Sequence, residues 1–206
     1  AGRVALIVTW WDRWDQEGSL SSSLEVLPVQ YPVESIRLPP GRGTLLDPEI
    51  TQQEWAYLEP IWSTASPERL WTGSFITPTH GVQSSPFGIL RSYDGGPPSS
   101  YHNGVDISNI TGTLVVAAQD GRVVMAERLA VRGNTVIIDH GWGLHSAYYH
   151  LSAILVQAGD LVEAGQAVGR MGDTGLATGS HLHWEVRLGL TPVDPWEWVR
   201  RGAEIP

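Results

Sequence analysis

Apolar and polar positions alternate along the first segment of this chain, roughly Val4 to Leu38, the mark of strands. Val4-Ala5-Leu6-Ile7-Val8-Thr9-Trp10 reads as one strand and Leu24-Glu25-Val26-Leu27-Pro28-Val29 as another, with a polar, Gly- and Ser-containing stretch over 12–23 between them. Two strands alone make no stable domain, so residues 1–38 are expected to be a β segment of an accessory β-domain. Pro39-Pro40-Gly41 then punctuates the chain. Asp47-Pro48-Glu49 gives a helix start: a capping carboxylate, a proline at the first helical position and an acid at the positive end of the dipole. This helix is expected to run to about Leu58 and to be bent or stopped by Pro60, and Ser66-Pro67-Glu68 repeats the start signal for a short turn. Residues 39–72 thus read as a linker with short helices.

From residue 73 the pattern changes to short strands separated by glycines. Thr113 to Ala118 is expected to meet Val123-Val124-Met125-Ala126 in a hairpin through Asp120-Gly121. Asn134 to Asp139 and Leu144 to Tyr149 flank a Gly141-Trp142-Gly143 turn, and Ala167 to Met171 and His181 to Leu188 supply two more strands. No segment here has a helical period, so residues 73–206 read as an all-β core with irregular loops. Trp55, Trp62 and Trp71 line the linker; a sugar- or peptide-binding strip is one reading, and packing against the neighbouring domain is the favoured one.

Composition narrows the function more by exclusion than by indication. The chain of 206 residues is 42% hydrophobic, enough for a proper core. It has no cysteine, which removes disulfides, thiol nucleophiles and cysteine-based metal sites together. Net charge is −9 and all 13 basic residues are arginine, so nucleic acid and anionic membrane surfaces are excluded as main partners. No apolar run reaches membrane-spanning length. The stretch from Val4 to Trp11 lacks a small-residue cleavage site and reads as a strand, so no signal peptide is expected within this chain.

The chemistry lies in the histidines. Seven occur, and His102, His140, His145, His150, His181 and His183 fall within the β-rich stretch. His102-Asn103-Gly104-Val105-Asp106 sets an imidazole and a carboxylate four positions apart, with a glycine that lets the chain bend between them. His181-Leu182-His183 opens a strand, where alternation points both imidazoles to one face. Each motif alone is weak. Together they offer two imidazoles and a carboxylate with a further imidazole to spare, a nitrogen and oxygen donor set that suits zinc in an open catalytic site.

Beyond these motifs, the run from about residue 85 to 198 resembles the lysostaphin-type (LytM-type) zinc endopeptidases of peptidoglycan. The resemblance is carried by Ser85-Pro86-Phe87-Gly88, His102-Asn103-Gly104-Val105-Asp106-Ile107, Gly112-Thr113 with Val115-Val116-Ala117-Ala118, and Val136-Ile137-Ile138-Asp139-His140-Gly141. It continues in order through Tyr149-His150-Leu151-Ser152, Gly165-Gln166, Gly172-Asp173-Thr174-Gly175 and Thr178-Gly179-Ser180-His181-Leu182-His183-Trp184-Glu185-Val186-Arg187.

The resemblance implies a mainly β fold, an open antiparallel sheet or sandwich with a groove floored by the histidine-bearing strands, here preceded by the small β segment and the helical linker. It implies one zinc per chain held by His102, Asp106 and His183, with His181 and His150 as metal-free catalytic histidines. The substrate it implies is the peptide part of peptidoglycan, in an extracytoplasmic compartment (periplasmic or secreted). His140 and His145 are expected to be structural, and His80 solvated. Family members carry an aromatic residue ahead of the first ligand, and both Tyr93 and Tyr101 qualify. Two other classes stand beside the enzyme: a catalytically silent relative that binds and activates other wall hydrolases, and a metal-free wall-binding module anchored by tryptophans. The complete set of five residues favours the enzyme. The linker is expected either to wrap the back of the core or to shield the groove.

Overall fold

A computed structural model describes residues 2–28 and 30–201. The chain divides into two units, residues 1–32 and 33–206.

In the first unit, β1 (Gly2–Trp11) pairs antiparallel with β2 (Glu17–Val26) along its whole length, from Gly2 opposite Val26 to Trp11 opposite Glu17. The second strand therefore begins about seven residues before its expected start, and the serines expected to form the turn are inside it. The turn is instead made over 12–16, where the Asp12 carboxylate accepts from the amides of Trp14 and Gln16 and Asp15 adopts a left-handed φ of 58°. Val29, placed in the expected second strand, lies outside the described residues.

The second unit is mainly β, its sheets antiparallel except where its first strand pairs in parallel with residues 90–93. Its first strand, β3 (Val33–Ile36), is followed by α1 (Pro48–Ser63), whose start is as the sequence implies: Asp47 accepts from the Glu49 amide at 2.8 Å and Pro48 occupies the first turn. The helix runs past Pro60 to Ser63. A proline inside a helix costs about 3 kcal/mol, and the burial of Leu58 and Trp62 on either side of Pro60 offsets it. No helical turn forms at Ser66; its hydroxyl donates to the Asp139 carboxylate instead of capping.

The strands that follow are β4 (Val82–Ser85), β5 (Leu90–Tyr93), β6 (Ser100–Tyr101), β7 (Val105–Ser108), β8 (Leu114–Val116), β9 (Gly121–Arg128), β10 (Asn134–Gly141) and β11 (Leu144–Leu151). Then come β12 (Ala153–Ile154), β13 (Leu161–Val162), β14 (Ala167–Arg170), β15 (His181–Leu188), β16 (Thr191–Val193) and the short helix α2 (Pro195–Arg201). The helix α2 interrupts the expected all-β pattern; Asp194-Pro195 repeats the start signal of α1, and Asp194 accepts from the Trp196 amide.

The main sheet runs β13-β9-β10-β11-β15-β7-β4, with β16 added to β15, and does not close into a barrel. A smaller sheet is β12-β14-β8, and β3 pairs with β5, which pairs with β6. The expected hairpin between residues 113–118 and 123–126 does not form: β8 pairs with β14, while β9 pairs with β10 and β13. The side chains of the intended turn are drawn elsewhere. Gln119 donates to the carbonyls of Thr72 and Ser74, and Asp120 accepts from the Ala164 amide, so the chain crosses from one sheet to the other. The β10–β11 connection does form a tight hairpin, Trp142 and Gly143 both taking positive φ.

Both faces of the main sheet are covered. Val136, Ile138, Tyr148, Leu182, Trp184 and Val186 pack with Val115 and Val168 of the smaller sheet. Met125, Ile137, Ala147 and Tyr149 point the other way and pack against Leu58 and Trp62 of α1. Trp71, also buried, packs edge-on to Trp198 in the larger cluster.

Candidate metal centre and active site

Register brings the two histidine motifs together. β7 pairs with β15 so that Asp106 stands opposite His183, and β11 pairs with β15 so that Tyr149 stands opposite His183 on the other side. The chain enters β7 past Gly104, where an added Cβ would lie 2.3 Å from the Trp184 carbonyl oxygen; only glycine lets His102 approach this closely. Asp106 Oδ1 then lies 3.0 Å from His102 Nε2 and 2.8 Å from His183 Nδ1, and the two nitrogens are 2.9 Å apart. All three side chains are buried.

The outer nitrogens are already taken. His102 donates its Nδ1–H to the Pro86 carbonyl at 2.7 Å, and His183 donates its Nε2–H to Glu185 Oε1 at 3.1 Å. Those bonds turn the lone pairs of His102 Nε2 and His183 Nδ1 toward one another and toward a carboxylate oxygen. Such an arrangement repels itself unless a cation or a proton lies among the three atoms. Imidazoles fixed by an outer acceptor are the usual setting of a metal ligand, so the donor set fits a single divalent ion.

The electrostatics follow from the packing. Burial lowers the His102 pKa. Burial alone would raise that of Asp106, but the His183 and His102 imidazoles beside it hold it well below the usual carboxylate range. For His183 the Asp106 carboxylate outweighs burial and raises the pKa. Glu185, against burial, is pushed down to about 2 by the hydrogen bond from His183 and the Arg187 guanidinium, whose Nε donates to it at 2.8 Å.

His181 and His150 stand over this cluster with ring centroids 4.8 Å apart. Strand alternation carries His181 to the face of His183, and its Nε2 lies 3.9 Å from Asp106 Oδ1 while its Nδ1–H donates to the Gly179 carbonyl at 2.8 Å. His150 arrives differently. Alternation would turn it away from the face of Tyr149, but its backbone takes a left-handed φ of 60° beside an irregularity in the β10–β11 register. Its Nδ1–H donates to the Thr174 carbonyl at 2.8 Å. Burial, then the neighbouring histidines, keeps its pKa well below the ordinary value.

A cavity of about 230 Å³ is lined by Asp106, His150, His181 and residues 176–180; another of about 420 Å³ is lined by His102, Tyr149, His183 and Glu185. Arg91, Tyr93, His150 and Leu176 border both, and Tyr101 borders the larger. Residues ahead of the resembling region also reach these walls: Ile36 and Leu38 on the first, Leu46 and Thr51 on the second.

Residues 100–195 match the family model described as Peptidase family M23. This stretch is an M23 domain. Among relatives of the M23 domain, it is 44% identical over 93 residues to the peptidoglycan DD-endopeptidase ShyA of Vibrio cholerae, covering 45% of this chain and 22% of that one. It is 34% identical over 161 residues to the murein hydrolase activator NlpD of Salmonella dublin, covering 76% and 39%. Among solved structures, a putative peptidase M23 from Pseudomonas aeruginosa superposes with a TM-score of 0.73 at 26% identity, covering 97% of this chain and 74% of that one. The chain therefore spans between about a fifth and two fifths of the length of the two curated relatives.

The five residues singled out in the sequence thus meet at one place, while His80 is exposed and His140 and His145 lie in the core. Two further residues, Glu185 and Arg91, contact this cluster without having been expected there. Glu185 was within reach, since it lies two positions after His183 on the same strand face. Arg91 was not: it donates to Asp106 Oδ2, and to Ser85 Oγ and Glu34 Oε2, each at 3.2 Å, and no local spacing announces it.

Proposed function

We propose that this M23 domain is a zinc-dependent endopeptidase that hydrolyses peptide bonds of bacterial peptidoglycan outside the cytoplasm. The observation that carries the reading is the convergence of His102 Nε2, Asp106 Oδ1 and His183 Nδ1, mutually within 4.8 Å, beneath a pair of histidines with carbonyl-anchored rings. These three side chains would hold one zinc, which would supply Lewis-acid polarisation on its open side.

The remaining steps belong to the protein. His181, its Nδ1–H fixed on Gly179, presents Nε2 as the base that takes a proton from the attacking water and returns one to the leaving amine. His150, anchored in the same sense on Thr174, presents Nε2 as a second acceptor beside the reacting water and so shares in taking and returning that one proton. Tyr93, on the border of both cavities, is placed to contact the substrate there; the loop over 176–180 offers backbone groups to an extended peptide.

The test is zinc content and release of soluble peptides from purified peptidoglycan. His181→Ala should keep about one zinc while hydrolysis falls by about 10²- to 10⁴-fold. Loss of zinc together with activity would reject the division of roles.

The similarity to NlpD over three quarters of the chain supports a second reading, a silent domain that activates another wall hydrolase. A zinc-loaded protein that leaves peptidoglycan intact but accelerates a separate hydrolase would establish it. The complete donor set and the paired histidines favour the enzyme.

A further inference from the structure

The histidines used in the proposed mechanism all fall in the family-matched region, yet one of them is held through a helix that precedes it. His150 is a non-glycine residue at φ 60°, a strained conformation that persists only where its surroundings impose it. Two contacts impose it: the His150 amide donates to the Arg132 carbonyl at 2.9 Å, and its ring donates to the Thr174 carbonyl at 2.8 Å. The loops carrying those carbonyls are themselves interlocked. The Leu176 amide donates to the Val131 carbonyl at 2.7 Å, and an added Cβ at Gly175 would lie 2.3 Å from that same oxygen.

Residues 131–132 are held from the other side by one carboxylate of α1. Glu54, buried, accepts from the Val131 amide at 2.6 Å, the Arg132 amide at 3.2 Å and the Arg132 guanidinium at 2.7 Å. Charge-assisted bonds of this kind are stronger than neutral ones. The Arg132 guanidinium also lies 5.4 Å over the Tyr149 ring, which stacks on His183 at 5.4 Å. A continuous path thus runs from Glu54 through the Arg132 backbone to the amide that fixes His150.

We propose that Glu54 is a positioning residue for His150, and that α1 is part of the catalytic apparatus rather than a passive connection. The proposal rests on the functional reading above, in which His150 works at the reacting centre. Removing the carboxylate frees the 131–132 loop, and His150 is no longer kept in its left-handed conformation. Zinc, held by three other residues, stays.

The experiment compares Glu54→Gln, His150→Ala and the double variant for kcat, KM, zinc content and melting temperature, with amide hydrogen exchange at residues 131, 132 and 150. Glu54→Gln should lower kcat by about ten- to a hundredfold, the scale of a small misplacement of a reacting group. KM and zinc content should be unchanged, and exchange at the His150 amide should rise. Combined with His150→Ala it should add nothing, because it acts through that residue. An unchanged kcat in a folded Glu54→Gln protein would overturn the proposal, as would an effect that persists undiminished in the double variant. Full activity in His150→Ala would instead overturn the reading of the site. If Glu54→Gln fails to fold, Glu54→Asp serves in its place, its shorter arm reaching fewer of the three donors.

Discussion

The β11–β15 pair carries a histidine and carboxylate cluster at each end, and the two are built to opposite purposes. At one end His102, Asp106 and His183 turn their lone pairs toward a common point, with His150 and His181 lining a cavity above it. At the other, His140, His145 and Asp139 are as deeply buried, and apart from His145 Nε2, which has no hydrogen-bond partner, their polar atoms are closed off by neighbours. His140 Nδ1–H donates to the Asp120 carbonyl at 2.7 Å and its Nε2 lies 2.8 Å from Ser146 Oγ. Asp139 accepts from the Gly141 amide and the Ser66 hydroxyl. His145 packs edge-on against Trp62, its Nε2 3.8 Å from Asp139. Burial and residue type do not separate a site from a core. Whether the atoms face one another across an accessible space, or face partners that satisfy them, does.

The sharpest way to break this contrast is to remove one aspartate from each cluster. Asp106→Ala should abolish zinc binding and hydrolysis together. Asp139→Ala should leave both in place and cost stability, about 1–3 kcal/mol for the buried donors it strands, measured by chemical denaturation. Zinc loss from the second variant would mean that the clusters are coupled.

The next effect comes from acid. Burial lowers the His140 pKa from 6.5 to about 4. The unfolded chain therefore binds a proton that the folded chain refuses throughout that interval, and stability falls as pH drops from about 6.5 to about 4, by about 3 kcal/mol from this residue. Below the lower value the contribution is flat. The loss of unfolding free energy between pH 7 and pH 4 should be smaller in His140→Asn than in wild type by about this amount, with zinc content at neutral pH equal in both. The smallest effect belongs to Ser66→Ala, which removes one donor to Asp139; it should cost about 1 kcal/mol and leave peptide release unchanged.

Legibility in the sequence followed locality. Four of the five residues at the proposed centre sit in two short motifs, where strand alternation and a bend at Gly104 are enough to aim them; His150, turned in by its left-handed φ, is marked in the sequence only by the family resemblance. The helix start at Asp47-Pro48 and the strand from His181 to Leu188 were readable for the same reason. What escaped depends on pairs far apart in sequence. The hairpin expected at Asp120-Gly121 fails because Gln119 and Asp120 are claimed by residues about 45 positions away. Glu54 and Arg132 are 78 apart, Glu34 and Arg91 57 apart, and neither pair leaves a local trace. The helix passes Pro60 because a tertiary surface rewards Leu58 and Trp62, which propensity cannot anticipate.

One contact at the centre also governs which ions could be accommodated. With Oδ2 of Asp106 engaged by the Arg91 guanidinium, the carboxylate has a single oxygen to offer, and it stands beside two imidazole nitrogens. Calcium requires about six to eight oxygens and finds no such shell here; a borderline ion of low coordination number does not need one. The donor set itself thus turns away hard cations, and the arginine's part is to keep the carboxylate to one donor oxygen.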